Sequence, residues 1–433
     1  LRGRARQYIK ALLPGPAIAL AKKLRNGLRI TRRALASCSN LQAQRQYIRQ
    51  VLQQSGSALA KDFVDIATHA PDIPTDCPKL IAFYLPQFHP FPENDLWWGR
   101  GFTEWSNVTR ARPQFVGHYQ PHLPVDLGFY DLRVPEVMER QVELAKLYGI
   151  HGFCFHYYWF SGKRLMERPL MDFLQRKGLD MPFCLCWANE AWSRRWDGSE
   201  NKLLIKQELR PEDDSRFIED ALPFLSDDRY IRISGRPLLI IYRPHLWARE
   251  RVLRLLENMR QTAQRHGLDG LYLVCALTHD FEDDPRQWGF DAGLEFPPHL
   301  CGDIPEHGAI DFINPCFFGT VHDMRAMVAK ADSMTASPFT RFRTVFPGWD
   351  NTARLGNGAR IFHSQSPALY RHWLEKALRH TKAHNGPDAQ FVFINAWNEW
   401  AEGAHLEPDK KYGYAFLQET ANALSAFGRQ DSC

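Results

Sequence analysis

The sequence has no apolar run long enough to cross a lipid bilayer. Its most apolar early stretch, Ala11–Ala21, is about half of the ~20 residues that a spanning helix needs, and Pro14 and Pro16 interrupt it. The basic start and the short apolar run superficially resemble a signal peptide. Lys22 and Lys23 stand, however, where small residues at a cleavage site would be expected. We therefore predict neither a membrane span nor an export signal.

Signatures of bound cofactors are missing as well. No Gly-rich phosphate loop follows any strand-like run, so nucleotide binding of that type lacks its usual signature. Cys184 and Cys186 form a C-x-C pair with no second pair at metal-ligand spacing, which argues against a zinc site. The sequence thus predicts no cofactor, no metal ion and no nucleic-acid partner.

Cysteine usage indicates a reducing compartment. The chain has 9 cysteines, an odd number, and Cys154, Cys184, Cys186 and Cys275 lie within apolar, strand-like runs. A buried free thiol in such a run behaves as a small hydrophobe. Together with the missing export signal, this pattern predicts a cytoplasmic protein.

Positive charge is concentrated at the start of the chain. Residues 1–70 carry 13 Lys and Arg against 2 Asp and Glu, whereas the rest is mildly acidic. Within this arm Ala21–Leu35 and Leu41–Leu59 have helical periodicity and basic faces. Such helices can lie on anionic lipid or on a partner, and a solvated helical linker of a longer polypeptide fits equally well. We predict a basic helical arm over 1–70 and a catalytic domain over 79–425.

From Lys79 onward, eight apolar or β-branched runs alternate with polar loops and helical periods. Strands that alternate with helices pair in parallel, and eight such units close into a barrel. The sequence therefore predicts an α/β fold, a (β/α)₈ TIM-type barrel, with an open doubly wound sheet as the alternative. The eight runs are Leu80–Leu85, Ile150–His156, Pro182–Trp187, Pro237–Tyr242, Leu271–Leu277, Asp291–Phe296, Arg343–Pro347 and Phe391–Trp397. The helical candidates are Val134–Tyr148, Glu167–Lys177, Arg249–His266 and Pro367–His384.

Two stretches depart from this repeat. Residues 297–342 have the pattern of a long irregular connection, and no good helix separates the fifth and sixth runs. Lys202–Leu209 is an additional strand-like run, for which we predict a hairpin in the third loop.

The strand exits carry aromatic, amide and carboxylate side chains. In a barrel of this kind the site lies at the carboxyl ends of the strands. Aromatic rings cover the apolar face of a sugar while amides and acids bind its hydroxyls, so these exits predict a polyhydroxylated ligand. The candidate substrate-binding residues are Tyr84, Gln87, His89, His156, Tyr157, Trp187, Asn189, Glu190, Tyr242, Glu295, Trp349, Asp350, Trp397 and Asn398. Trp97, Trp98, Glu104 and Trp105 form either a sugar platform above the barrel or a lid packed for stability.

The sharpest feature is a pair of glutamates, Glu399 and Glu402, just after the last strand-like run. Glycosyl transfer needs one carboxyl group to protonate the leaving oxygen and a second to act as nucleophile or base. Trp397 and Trp400 flank the pair, and a partly desolvated carboxyl beside an indole has a raised pKa. Gly403 permits the turn that brings both side chains toward one cavity. The alternative is a solvated loop.

Three segments resemble known families. Asn398–Gly403 resembles the Asn-Glu-Trp-x-Glu-Gly motif of the family 99 glycoside hydrolases, which are endo-α-mannosidases and endo-α-mannanases. Ala82–His89, Asn94–Val108 and Ala396–Asp409 are similar to the WbsX-like proteins of bacterial surface-polysaccharide loci. Those proteins are commonly described as glycosyltransferases or as family 99-like domains. The resemblance covers about residues 79–425.

The resemblance also implies catalytic roles. By position, Glu399 would assist attack by the 2-hydroxyl of the sugar, giving an anhydro-sugar intermediate, and Glu402 would be the acid/base. The sequence departs from the endomannosidases at two positions: Ala401 stands where they carry His, and Ala404 where they carry Thr. These departures put the hydrolase substrate, or even the acceptor, in doubt.

Three functions remain open at this stage. The first is glycosyl transfer in lipopolysaccharide O-antigen or other surface-polysaccharide biosynthesis, on an oligosaccharide or polysaccharide in free or lipid-linked form. The basic arm would then hold the enzyme at anionic lipid. The second is a retaining endo-α-glycosidase, and the third is a non-catalytic glycan-binding domain. Glu407 and Asp409 are interpreted as simple loop charges.

Overall fold

The computed structural model describes residues 62–428 except 195–198, 280, 282, 300–303, 305–307, 309 and 333–335, together with 27 and 45–49. Most of the predicted helical segments Ala21–Leu35 and Leu41–Leu59 therefore lie outside the described residues. Among the helices that are described, none has the length and apolar character needed to span a bilayer.

Eight parallel strands form a closed barrel. Each pairs with the next along the chain, and the last pairs with the first through Lys79 opposite Phe391. Closure confirms the predicted (β/α)₈ barrel and excludes the open sheet. The strands are β1 (Lys79–Tyr84), β2 (Gly152–Phe160), β3 (Phe183–Trp187), β4 (Arg236–Ile241), β5 (Tyr272–Leu277), β6 (Ala292–Glu295), β7 (Arg341–Val345) and β8 (Phe391–Ile394).

Helices surround the barrel and cross its top. The four predicted helices are confirmed to within about two residues at their ends, as α3, α4, α6 and α9 below. Among the described residues between β5 and β6, a 3₁₀ turn over Pro285–Trp288 is the only regular element. Within the described part of residues 62–428, the α-helices are α1 (Pro92–Trp98), α2 (Trp105–Arg110), α3 (Pro135–Leu147), α4 (Arg168–Gln175), α5 (Asp213–Leu225), α6 (Arg249–Arg265), α7 (Met324–Asp332), α8 (Thr352–Leu355), α9 (Pro367–His384) and α10 (Ala415–Ser425).

Helix α9 shows why these segments fold as they do. Pro367 occupies its first turn, and the Ser366 hydroxyl caps the helix by accepting the backbone N–H of Leu369. Buried side chains then recur three and four residues apart, at Tyr370, Trp373, Leu374, Ala377, Leu378 and Thr381. This spacing places one apolar stripe against the barrel.

The loops that connect the barrel elements contain short strands. The predicted hairpin of the third loop is confirmed by antiparallel pairing of Trp192–Arg194 with Ser199–Ile205. The stretch 297–342 was expected to be irregular, yet it contains the strand Thr320–Asp323 and helix α7. That strand pairs with Arg360–His363, which also pairs with Trp349–Asp350. Two further short strands, Lys163–Leu165 and Arg232–Ile233, lie antiparallel to β2 and β4.

The segment before β1 packs on the barrel domain. Val64 exchanges backbone hydrogen bonds with the 412–414 loop, through the carbonyl of Tyr412 at 3.1 Å and the N–H of Tyr414 at 2.9 Å. The backbone N–H of Ala67 donates to the hydroxyl of Tyr148 at 2.7 Å. Residues 62–70, which the sequence interpretation assigned to the basic arm, therefore contact the folded body.

Candidate active site

A cavity of about 750 Å³ opens at the carboxyl ends of the barrel strands. Its wall is built by loops that follow strands from all around the barrel, so it lies where barrel enzymes place their sites. Its lining residues are Leu85, Gln87, Asn94, Trp98, Glu104, His156, Tyr158, Met166, Ala188, Glu190, Ala191, Trp192, Leu204, Gln207, Tyr242, Arg243, Leu246, Trp247, Phe296, His299, Trp349, Asn351, Arg354, Asn395, Glu399 and Glu402.

The two glutamates reach this cavity from one small hairpin. Asn398–Glu399 pairs antiparallel with Ala404–His405, and a 3₁₀ turn over Trp400–Glu402 joins the two strands. Gly403 ends the turn with φ of 60°, a left-handed conformation that glycine adopts without strain. The Glu399 side chain is 6% exposed and that of Glu402 is 21% exposed, so both carboxylates are largely withdrawn from water at the cavity wall.

A single arginine, Arg354, binds three carboxylates. Its two terminal nitrogens contact Glu399 Oε1 at 2.9 Å and Glu402 Oε1 at 2.7 Å, and its Nε contacts Glu104 Oε1 at 3.1 Å. One planar guanidinium donates a hydrogen bond to Glu399 and another to Glu402. The two carboxylate oxygens are therefore held close to the same group. The catalytic candidates thus converge on one point of the cavity.

Burial sets the protonation of the pair. It raises the pKa of Glu399 well above the ordinary value, and the charges of Glu402 and Glu104 raise it further, while Arg354 opposes the shift. Burial likewise raises the pKa of Glu402, against the same arginine. Two carboxylates that share one buried site do not both ionise readily, so one of them keeps a proton at a pH where an exposed glutamate has lost it.

Aromatic rings form the wall facing the carboxylates. His156 and Tyr158 project from β2 with their rings stacked at 6.1 Å between centroids. Burial, and secondarily Arg354, lowers the pKa of His156 to about 4, so its imidazole is neutral at pH 7. Tyr242 packs edge-on to Phe296 at 5.0 Å. These faces suit stacking against the apolar side of a sugar ring.

Nine of the predicted site residues line the cavity. Gln87 donates to Glu399 Oε1 at 3.5 Å, and Glu190 forms an ion pair with Arg243. Glu104 belongs to the Arg354 cluster, so the loop predicted as a platform contacts the same arginine as Glu399 and Glu402. The nine are Gln87, Trp98, Glu104, His156, Glu190, Tyr242, Trp349, Glu399 and Glu402.

Four other predicted residues point away from the cavity, because side chains alternate along a strand. Tyr157, between the two lining residues of β2, packs on Phe217 of α5 instead, and Trp187 packs on the same phenylalanine. Tyr84 donates its hydroxyl to Gln141 at 2.7 Å. Glu295 pairs with Arg343 at 3.0 Å. These four side chains therefore pack against or pair with other protein groups and do not line the cavity.

The remaining predicted residues hold loops rather than form the cavity wall. Asn398 accepts from the N–H of Leu85 at 2.8 Å and donates to the carbonyl of the same residue at 3.0 Å. Asn189 likewise accepts from the backbone N–H of Arg243 and donates to the carbonyl of the same residue. The others contact protein groups as follows: His89 lies beside the Phe91 ring, Trp97 beside Trp192, Trp105 Nε1 donates to the carbonyl of Tyr130, and Trp397 Nε1 donates to Glu407.

Asp350 was predicted to accept a sugar hydroxyl, but protein donors surround it. It binds His118 Nε2 at 2.6 Å, Gln120 Nε2 at 2.5 Å and the backbone N–H of Thr352 at 2.9 Å. Despite burial, the His118 charge and these hydrogen bonds lower its pKa to about 2. Asp350 therefore fixes the turn that presents Trp349 and Arg354.

Glu407 was interpreted as a loop charge, and the structure corrects this. It is 2% exposed and accepts four hydrogen bonds. Gln141 at 2.6 Å and Trp397 at 3.0 Å donate to Oε1, and Tyr130 at 2.9 Å and Trp400 at 2.6 Å donate to Oε2. Burial raises its pKa to about 7. Glu407 thus binds both indoles that flank the glutamate pair.

Glu407→Gln is expected to destabilise the fold. The amide NH₂ would face either Trp397 or Trp400, so one buried indole N–H loses its acceptor, at a cost of about 1–3 kcal/mol. Thermal unfolding should show a lower midpoint for this variant than for Glu136→Gln, an exposed control on α3. Equal midpoints for the two variants would contradict the assigned role of Glu407.

The fold and the site together define a class, the carbohydrate-active enzymes built on a (β/α)₈ barrel. A profile of the family described as "Glycosyltransferase WbsX" matches residues 80–420. The chain belongs to the WbsX glycosyltransferase family. A relative from Xanthomonas campestris pv. campestris strain B100, named uncharacterized protein WxcX, is 47% identical over 348 residues, which make up 80% of this chain and 49% of the relative. The chain thus spans about half the length of that curated relative.

Solved structures share the barrel. The endo-alpha-mannosidase of family GH99 from Bacteroides thetaiotaomicron superposes with a TM-score of 0.50 at 14% identity, covering 82% of this chain and 98% of that one. A glycoside hydrolase-like protein gives 0.52 at 14% identity, covering 84% and 98%. At such low identity the likeness shows the fold.

Sequence reasoning missed Arg354 as a site residue. It lies nine residues after Val345, the end of β7, and no motif marks it. The available signal was a cation four residues after Asp350, the end of the Trp349–Asp350 strand. Trp192, Arg243, Asn351 and His299 also line the cavity and were not among the predicted site residues.

Proposed function

We propose that this chain transfers a glycosyl group during assembly of a bacterial surface polysaccharide such as lipopolysaccharide O-antigen. The acceptor is an oligosaccharide or polysaccharide, in lipid-linked form. The observation that carries the proposal is the convergence of Glu399 and Glu402 on Arg354 in one aromatic-walled cavity. Membership of a glycosyltransferase family supports transfer.

The pair can perform the reaction in two balanced steps. In the first, Glu399 takes the proton of the sugar 2-hydroxyl, whose oxygen attacks the anomeric carbon, while Glu402 protonates the departing glycosidic oxygen. In the second, an incoming hydroxyl opens the anhydro-sugar, Glu402 takes its proton and Glu399 returns its own to the 2-oxygen. The raised pKa of each buried carboxyl suits this exchange, because one group of the pair can hold a proton while the other is ionised.

A second candidate function uses the same groups. If water enters in place of the acceptor hydroxyl, the reaction is retaining hydrolysis of an α-linked glycan. The shared fold of the endo-alpha-mannosidase supports this alternative. Ala401 and Ala404, which replace the His and Thr of the endomannosidase motif, weigh against the mannosidase substrate.

Product analysis distinguishes the two functions. The protein is incubated in heavy-oxygen water with a panel of nucleotide sugars, lipid-linked oligosaccharides and defined α-glycans, and products are read by mass spectrometry. Transfer predicts an acceptor that is one glycosyl unit or block heavier and carries no heavy oxygen. Heavy oxygen in a new reducing end identifies hydrolysis instead. Glycan binding without either product would leave the non-catalytic function and overturn the proposal.

The basic arm, residues 1–70, supports a cytoplasmic enzyme held at a membrane surface carrying its lipid-linked substrate. Sedimentation with anionic vesicles tests this part separately. Binding should fall steeply between low and physiological salt, because exposed charges are screened. Equal recovery with neutral and anionic vesicles would contradict the electrostatic attachment.

A further inference from the structure

Two histidines and one aspartate meet in a buried cluster outside the active-site cavity. His122 Nδ1 lies 2.9 Å from His405 Nε2, which lies 3.8 Å from Asp409 Oδ2. The three donor atoms all fall within 4.8 Å of one another. Each residue is 6% exposed or less, and none of them lines the cavity. The catalytic proposal therefore leaves this cluster unexplained.

Hydrogen bonds to neighbouring backbone groups orient His405 and Asp409, so that one donor atom of each faces the centre of the cluster. His405 Nδ1 lies 2.8 Å from the carbonyl of Glu407, which accepts its N–H, so the lone pair of a neutral ring is on Nε2. Asp409 Oδ1 accepts the backbone N–H groups of Lys411 at 2.8 Å and Tyr412 at 2.7 Å, so Oδ2 is turned toward His405. A carbonyl behind a ligating imidazole and donors behind a ligating carboxylate are the outer contacts of metal ligands.

Both imidazoles are buried, and the neutral ring is the form that binds a metal ion. Between two neutral rings whose nitrogens face each other at 2.9 Å, either one shared proton or one cation is required. The carboxylate of Asp409 favours the cation.

We propose that His122, His405 and Asp409 bind one Zn²⁺ ion. Two imidazoles and one carboxylate are ligands that zinc prefers, and its tetrahedral bonds of about 2.1 Å would set ligand atoms roughly 3.4 Å apart. The observed separations of 2.9 and 3.8 Å bracket that value. Burial of all three residues assigns the ion a structural role, with one further small ligand completing the tetrahedron.

The proposed ion would lie next to the hairpin that carries Glu399 and Glu402. His405 pairs with Asn398 in the hairpin that carries both catalytic glutamates, and its ring stacks on Trp400 at 3.7 Å. His122 belongs to the loop before α3, far away in sequence. A zinc ion would therefore join this loop to the catalytic hairpin, as a cross-link that holds the glutamate pair in place.

Metal content and thermal unfolding test the site together. The full chain is produced with added zinc, passed through gel filtration and analysed for metal by mass spectrometry. We expect one zinc per chain in the wild type and in His266→Asn, an exposed control at the end of α6. Asp409→Asn should lose the metal while keeping its fold, because the asparagine oxygen still accepts from Lys411 and Tyr412. His122→Gln should lose it as well.

Chelation gives an independent readout. Removing the ion should lower the unfolding midpoint of the wild type and the control by several degrees, and leave Asp409→Asn unchanged. Added zinc should restore it. Wild-type protein that holds no stoichiometric zinc, or Asp409→Asn that holds as much as wild type, would overturn the proposal. An unfolding midpoint indifferent to zinc and chelator would assign the His122–His405 contact to a shared proton alone.

Discussion

Glu402→Gln is expected to lower kcat by about 10²–10⁴-fold, the usual contribution of general acid–base catalysis by one positioned group. Glutamine keeps the shape of the side chain and an oxygen that Arg354 can bind, but it cannot donate a proton to a leaving oxygen. Glu399→Gln should cause a loss of similar size, because an amide cannot take the proton of a sugar hydroxyl. Steady-state kinetics on the substrate found by product analysis measures both effects.

Binding and folding should survive these changes. Glycan affinity and the unfolding midpoint of both variants should stay close to those of the wild type, since the cavity wall is unaltered. Glu257→Gln, an exposed glutamate on α6, is the matched control and should retain full activity. Wild-type turnover by both active-site variants would contradict the assignment of the pair.

Arg354→Met is expected to move the acid limb of the kcat/KM profile to higher pH by about 1–3 units. Arg354 opposes the effect of burial on both glutamates, so its removal raises the pKa of each. A step that needs Glu399 ionised then requires a more alkaline solution. Activity at pH 7 should fall, and part of it should return as the pH is raised.

The matched variants separate charge from geometry. Arg354→Lys keeps the charge but has one nitrogen in place of the three that contact Glu104, Glu399 and Glu402, so its acid limb should lie between those of wild type and Arg354→Met. Arg325→Met removes an exposed arginine paired with Asp323 and should leave the profile unchanged. An unshifted profile for Arg354→Met would show that the arginine does not control the ionisation of the pair.

The barrel was predictable because its signal is local and repeated. Each strand is a short apolar run, such as Leu238–Ile241, in which every side chain is fully buried, and such runs stand out from the helices between them. The strand Thr320–Asp323 was missed since its partner, Arg360–His363, lies about 40 residues later in the chain, and pairing of this kind leaves no local period.

The part of the candidate site that comes from a single segment of the chain could be predicted from the sequence. Glu399 and Glu402 lie three positions apart, so a single motif contained both. Arg354 comes from another loop, and only folding brings its guanidinium to them. Tyr157 was predicted to contact substrate, but its side chain packs on Phe217 instead of lining the cavity. Neighbouring positions on a strand face opposite sides, and the sequence at the end of a strand does not show which side faces the cavity.

Glu407 illustrates a further limit. In sequence it is one acid in a polar loop, and nothing nearby indicates burial. Its four donors come from α3, the loop before α3, Trp397 after β8 and Trp400 in the hairpin that carries Glu399 and Glu402. A buried carboxylate of this kind is recognised only when the groups that satisfy it are seen together.

The most direct measurement is a crystal structure of the Glu399→Gln variant with a glycan substrate bound. We expect the scissile glycosidic oxygen within hydrogen-bonding distance of the Glu402 carboxyl, with the sugar 2-hydroxyl facing position 399 and the ring against the aromatic wall near His156 and Tyr242. A glycan bound elsewhere on the barrel, with both carboxyl positions out of reach of its reacting bond, would contradict this expectation.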